Sequence, residues 1–292
     1  MKLSHNQAVM LMVVVALLWS TAGVVTRHLE YARSFEVTFW RSLFTALSLL
    51  VLLPVFQGAK VFHSLRHHGI NFWLSGLCWG VMFTCFMLAL TLTSVGNVLV
   101  TMSIGPLLTA LVARVVIGHR IPLRTWLAIV VAGAGIVYMF AAKISQASVA
   151  GTLLALCVPS AAAVNWTIAQ SAATRGQDLD LVPAVLVGAL LSALFTLPWA
   201  LPFQASAHDI ALLAGLGLTQ LALPCMLSLW CAKVLQAPEV SLLALLEIIF
   251  GIALAWVGAN EVPAPSVITG GMLVIGALLV NELVAWRQRS AR

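Results

Sequence analysis

One carboxylate stands alone in the middle of a long apolar stretch: Glu247, inside residues 239–258. If that stretch crosses a bilayer, an ionised side chain there costs at least about 2.5–3.5 kcal/mol. Such a group must face the interior of a helix bundle, where it holds a proton or meets an opposite charge. Its functional chemistry is then contact with a substrate ammonium or proton coupling; the plain alternative is a neutral, hydrogen-bonded carboxyl. Four tryptophans also lie deep in apolar stretches, Trp19, Trp79, Trp166 and Trp230. An indole offers a broad apolar face and one N–H donor, which suits an aromatic or hydrophobic solute. Near them Ser20, Asn97, Ser103, Asn165, Thr167, Gln170 and Gln236 offer groups to hold the ends of a zwitterion, and Met82 and Met102 offer adaptable apolar lining. Helix packing and interhelical hydrogen bonds, at about 0.6 kcal/mol each, are the plain alternatives for all of these.

Other chemistries find little support. His63-Ser-Leu-Arg-His67-His68 has the spacing of a metal-binding histidine box, but His5, His28, His119 and His208 are scattered singly and make no second box. A basic loop is the better account, and no metal is expected. The five cysteines, Cys78, Cys85, Cys157, Cys225 and Cys231, lie in apolar runs without CxxC spacing and read as small buried hydrophobes. No GxxxxGK[ST] is present, so this chain does not hydrolyse ATP. No carboxylate pair, histidine cluster or Ser/His set stands at matching depth. Neither catalytic residues nor a cofactor are expected.

The elements that would position these residues follow from composition. The 292 residues are 62% hydrophobic and 8% charged, with a mean hydropathy of +1.05. Soluble domains carry about 25% charged residues, so most of this surface must face lipid. The net charge of +6 reflects few acids, nine in all, rather than a basic stripe, which argues against nucleic acid. Breaking the apolar runs at charges, prolines and polar clusters predicts ten helical spans: 7–26, 35–55, 70–91, 95–117, 123–142, 149–171, 181–201, 208–233, 239–258 and 264–286. Each is near the roughly 20 residues that a bilayer core requires. The first run is long and lacks a cleavage site, so it reads as a retained span rather than a signal peptide.

Basic residues orient the spans. With the N-terminus inside, Lys2, Lys60, Arg66, Arg114, Arg120, Arg124, Arg175, Lys233, Arg287, Arg289 and Arg292 fall on the cytoplasmic side. Arg27, Arg33, Arg41 and Lys143 fall outside, which accounts for all fifteen. Both termini are then cytoplasmic. Arg41 and Arg114 sit near predicted span ends, where snorkelling suffices. The other tryptophans, Trp40, Trp73, Trp126, Trp199, Trp256 and Trp286, fall near span ends as an interfacial belt.

The halves also resemble each other. A shift of 142 lays Gly96 on Pro238, Ile104-Gly105-Pro106 on Leu246-Glu247-Ile248, and Gly118-His119 on Asn260-Glu261. One residue later Gly135 falls on Gly276, and Trp19-Ser-Thr-Ala resembles Trp166-Thr-Ile-Ala. Five spans per half force the second half to insert upside down, an arrangement of transporters with a site near the midplane. The expected fold is therefore all-α integral membrane, a 5+5 inverted repeat with units 1–143 and 148–287 and a basic tail at 288–292. Pro106, Pro159 and Pro224 allow kinks inside spans. Gly76-x-x-x-Gly80 and Gly251-x-x-x-Ala255 offer small faces for helix packing or a dimer contact, so a monomer or weak homodimer is expected.

With Leu18-Trp19-Ser20, Trp40-Arg41, the stretch from Pro106 to Gly118, Leu246-Glu247 and Asn260-Glu261, the chain resembles the ten-span EamA-type members of the drug/metabolite transporter superfamily. It looks most like their aromatic amino acid exporters. Departures are Gly118-His119 and Asn260-Glu261 where Gly-Glu is frequent, and Glu247-Ile248 where Glu-Pro is. The resemblance implies export across the cell inner membrane by alternating access, through a cavity lined by spans 1, 3, 4, 6, 8 and 9. The four deep tryptophans fall on four of those spans. The implied partners are the lipid bilayer and a small-molecule substrate, an aromatic or hydrophobic amino acid, with other neutral or cationic solutes as the alternative. An intramembrane enzyme or a channel is disfavoured, since no catalytic set and no filter-like polar ring stands out.

Overall fold

The computed structural model describes residues 3–32, 34–58, 61–64, 69–93, 95–118, 121–140, 148–176, 179–259 and 265–290. Their regular secondary structure is entirely helical, with no strand among the described residues. We number the main helices α1 (His5–Val25), α2 (Ser34–Gln57), α3 (Ile70–Leu92), α4 (Val95–Met102 continued by Gly105–Ile117) and α5 (Leu123–Phe140). These are followed by α6 (Val149–Thr174), α7 (Val182–Ala200), α8 (Ala207–Ala232), α9 (Ala237–Ala244 continued by Leu246–Ala259) and α10 (Pro265–Ser290). Eight helical stretches are long and apolar enough to cross a membrane, in α1 to α4 and α6 to α9. Apolar segments within α5 and α10, Leu123–Met139 and Pro265–Asn281, are shorter. The chain is a multi-pass membrane protein.

Local chemistry sets the helix ends. Ser4 and Gln7 form a reciprocal capping box at α1, with bonds of 3.3 and 2.8 Å, satisfying donors that the first turn leaves free. Ser148 caps α6 and Ser206 caps α8. Pro183 and Pro238 occupy the first turns of α7 and α9, where the missing N–H costs nothing. Gly118 ends α4 at φ 69°, a left-handed conformation that glycine takes without steric penalty.

The faces are arranged for lipid. On α2, Leu47, Leu50, Val51 and Val55 are exposed along one stripe at helical spacing. The opposite stripe buries Thr38, Arg41, Ser42, Thr45, Leu49 and Leu53. Polar side chains thus point inward, where they find partners. Ser42 donates to Ser192 Oγ of α7 at 3.0 Å, and Thr84 of α3 reaches the same oxygen at 2.9 Å. Thr45 donates to the Gly217 carbonyl of α8 at 3.2 Å.

Helix neighbours form a regular pattern. α1 packs on α8 and α9, α2 on α7 and α8, α3 on α6 and α7, α4 on α6 and α9, and α5 on α10. Three crossings depend on glycine. A Cβ on Gly188 of α7 would lie 2.8 Å from the Gly80 nitrogen of α3 and strike the Trp79 Cβ. One on Gly217 of α8 would lie 2.8 Å from the Thr45 nitrogen of α2, and one on Gly135 of α5 would lie 2.8 Å from the Gly270 carbonyl of α10. Such approaches bring backbones into van der Waals contact, the main attraction between helices in lipid. Gly76 and Gly80 are used here within the chain, against α7.

Several helices are interrupted. α1 breaks at Ser20, α4 at Ser103-Ile104 and α9 at Leu245, while α8 contains a π-helical turn over Gly217–Ala222 just before Pro224. Pro106 starts the second segment of α4 and Pro159 lies within α6. The segments of α4 and α9 keep step. Their first segments end at residues 102 and 244, 142 apart, and their second segments begin at residues 105 and 246, 141 apart.

Candidate functional site

The predicted residues divide into those brought together and those placed elsewhere. Trp19, Trp79 and Trp166 share one buried apolar cluster with Phe83, Leu186, Met226 and Leu229, and Met82 and Trp230 lie at its edge. Trp79 and Trp166 meet edge to face, with ring centroids 5.7 Å apart at 88°, a geometry favoured by opposing ring quadrupoles. The Trp79 Nε1 donor has no partner although it is buried. Beside this pair, Asn165 Oδ1 accepts from Ser75 at 2.6 Å, while Asn165 Nδ2 and Thr167 Oγ1 are buried without partners. Three unsatisfied buried polar atoms, on Trp79 and on the two residues that flank Trp166 in the chain, are unusual, since an unpaired buried group costs about 1–3 kcal/mol.

Other candidates serve the helices. Ser20 Oγ donates to the Leu17 carbonyl at 2.6 Å and Ser103 Oγ to the Val100 carbonyl at 2.6 Å. Both therefore satisfy carbonyls at the breaks of α1 and α4. Gln170 Oε1 accepts from the Ala237 N–H at 2.9 Å, tying α6 to the start of α9. Gln236 is exposed at the cap of α9. Met102 packs with Ala89, Val98 and Ala155 in a separate cluster, and Trp230 sets its edge against Phe56 at 6.0 Å. The side chain of Asn97 lies outside the described residues, as do Asn260-Glu261 and the His67-His68 pair.

Arg41 corrects the sequence-based expectation. Rather than snorkelling, it is 2% exposed. It stands seven residues inside α2, about 10 Å along the axis at 1.5 Å per residue, and its helix face turns it inward. Its Nη2 donates to the Phe83 carbonyl of α3 at a long 3.4 Å, and its Nε has no partner. Arg41 interacts electrostatically with Glu247 of α9 and Cys225 of α8. Cys225 in turn reaches the Trp19 side chain, and Gln220 Nε2 donates to the Trp19 carbonyl at 3.3 Å. The interior thus gathers Trp19, Arg41, Cys225, Gln220 and Glu247 from α1, α2, α8 and α9. A buried Arg is visible in the sequence only as one charge seven residues into a span, a position equally open to snorkelling.

The breaks explain how a carboxylate is accommodated. Glu247 is half-buried and stands in the first turn after the α9 interruption, where the helix's free N–H groups and positive dipole end favour negative charge. Gly105 of α4 faces Ser241 of α9 and Pro159 of α6 at the same crossing; a Cβ there would lie 3.4 and 3.5 Å from them. Interrupted backbone is tolerated within a membrane only where protein or an aqueous cavity surrounds it.

Both ends of the bundle are fastened. At the end bearing the N-terminus, His5 Nε2 lies 3.0 Å from Glu239 Oε1, and Lys233 approaches Asp180 at 4.0 Å. A recess of about 190 Å³ opens there between Ala169, Leu181, Leu229 and Lys233, smaller than the roughly 300–1,000 Å³ of ordinary ligand pockets. At the other end two buried carboxylates hold loops. Asp209 accepts from the N–H groups of Glu30, Tyr31, Ala32 and Ser206 at 2.7–3.3 Å. Glu36 accepts from Gln204 and Ala205 at 2.8–3.0 Å and from Trp40 Nε1 at 3.3 Å. Around them Trp40, Phe39 and Phe203 pack together with centroids 4.9–5.2 Å apart, Phe39 stacked on Phe203 and edge-on to Trp40.

A solved crystal structure described only as that of a protein shares the fold, with a TM-score of 0.75 over 98% of this chain and 99% of its own at 18% identity. No curated protein matches the sequence. Residues 6–141 match the model of the EamA-like transporter family, so the first half of the chain is similar to membrane transporters of small solutes.

Proposed function

We propose that this chain is a secondary transporter that exports aromatic and hydrophobic amino acids from the cytoplasm by alternating access. The observation that carries the reading is the buried cluster holding Trp19, Trp79 and Trp166, with unsatisfied polar atoms on Trp79, Asn165 and Thr167 and with Glu247 in electrostatic reach of its member Cys225. Indole faces suit an aromatic side chain, and the polar groups suit a zwitterionic head. In this reading the ten helices are ten spans of an inner-membrane protein with both termini cytoplasmic, no catalytic step and no cofactor. Units 1–143 and 148–287 form inverted repeats. Exchanging α1–α5 with α6–α10 turns the α1–α8 contact into α6–α3, α1–α9 into α6–α4 and α2–α8 into α7–α3, all of which occur. The breaks of α4 and α9, offset by 141–142 residues, support the same relation.

Opening would then require the fastenings at the two ends to release in turn, His5–Glu239 and Gln170–Ala237 at the cytoplasmic end, Asp209 and Glu36 at the outer one. Expression in a bacterial host should raise resistance to toxic p-fluorophenylalanine and lower its internal level. Unchanged resistance and accumulation at confirmed membrane expression would contradict the reading. Broad resistance to unrelated amphiphilic cations, without any for the analogue, would favour a drug exporter instead.

A further inference from the structure

We infer that Arg41 and Glu247 form a split receptor for the charged head of a zwitterion, with Arg41 taking the carboxylate and Glu247 the ammonium. The inference rests on the amino acid reading above and assigns the residue that selects the substrate's carboxylate. Arg41 and Glu247 are near enough to interact through their charges. Yet no ion pair or hydrogen bond joins them among the described residues. The guanidinium is spent only in part, with one long bond to the Phe83 carbonyl and Nε unpartnered in the buried interior. Glu247 makes no hydrogen bond among the described residues and keeps part of its surface accessible.

Two opposite charges held apart in a membrane interior lose hydration without regaining it from each other. Such an arrangement becomes favourable when something dipolar fills the gap. A free carboxylate would meet Arg41 but be repelled by Glu247. A simple amine would meet Glu247 but be repelled by Arg41. A zwitterion satisfies both, and its side chain then lies toward Trp19, whose carbonyl and ring are held by Gln220 and Cys225. Guanidinium is suited to this duty, because its planar fork matches a carboxylate.

The test compares binding of phenylalanine, phenethylamine (no carboxylate) and 3-phenylpropionate (no ammonium) to the purified full-length protein by calorimetry. The wild type should bind phenylalanine at least about tenfold more tightly than either analogue. R41Q should weaken phenylalanine by at least about tenfold while leaving phenethylamine unweakened, and R41K should recover part of the loss. E247Q should do the converse and spare 3-phenylpropionate. A wild type that binds phenylalanine and phenethylamine equally, or an R41Q protein that loses all three ligands alike, overturns the inference and leaves the amino acid reading intact. The wild-type comparison needs no variant, so misfolding of R41Q does not blunt it. A wild type that binds none of the three overturns both.

Discussion

The edge-to-face contact of Trp79 and Trp166 joins α3 to α6 at a point where neither ring is needed for a polar bond. Trp166→Ala opens the space of an indole and should weaken aromatic substrates by about tenfold or more relative to alanine-sized ones. Equal losses for every substrate in transport assays would assign the ring a packing role only. Trp166→Phe should retain most aromatic binding, because the apolar face survives. At this scale the sequence was informative where depth alone mattered: Trp19, Trp79, Trp166 and Glu247 stand in the interiors of apolar runs, and the Trp79 and Trp166 indoles meet. It was uninformative where helix rotation mattered. Arg41 is buried because it shares a face with Thr38, Ser42 and Thr45, and linear distance from a span end does not report that face. Gln170 looked like a ligand group, but the start of α9 claims its carbonyl oxygen.

At the scale of elements, hydrophobic runs marked the helices well because lipid leaves a chain no other means of satisfying its backbone. The breaks in α4 and α9 were less legible. Pro106 hints at the first, but Leu245 carries no signal, and its break lies near the crossing with α4 and α6. Glycine crossings are also set in three dimensions. Gly188→Val should place a side chain against Trp79 and Gly80, costing about 1–3 kcal/mol or more and lowering the yield of folded protein. Gly133→Val, where no atom lies within 4 Å, should be tolerated, and size-exclusion profiles of the two variants distinguish them. The loops at the end opposite the N-terminus depend on carboxylates in the same way. Asp209→Ala leaves four backbone donors unpaired and should lower the thermal midpoint in detergent by roughly 5–10 °C. A midpoint within a degree of wild type would mean that water replaces the carboxylate at no cost.

For the whole molecule, the proposed arrangement of five spans per half lets charge distribution and odd span number set how each half sits in the bilayer, and contacts such as α4–α9 and α5–α10 join the halves. A green fluorescent protein fused after Arg292 should fluoresce, as it does when it folds in the cytoplasm. A dark fluorescent-protein fusion, together with activity of an alkaline phosphatase fused at the same position, would reverse the orientation. Transport itself is the central claim, and counterflow tests it most directly. Purified protein in liposomes loaded with unlabelled phenylalanine should accumulate labelled phenylalanine transiently and saturably, with competition from tryptophan, tyrosine and leucine but not from sugars or nucleosides. No exchange of any amino acid by folded, reconstituted protein would contradict the account.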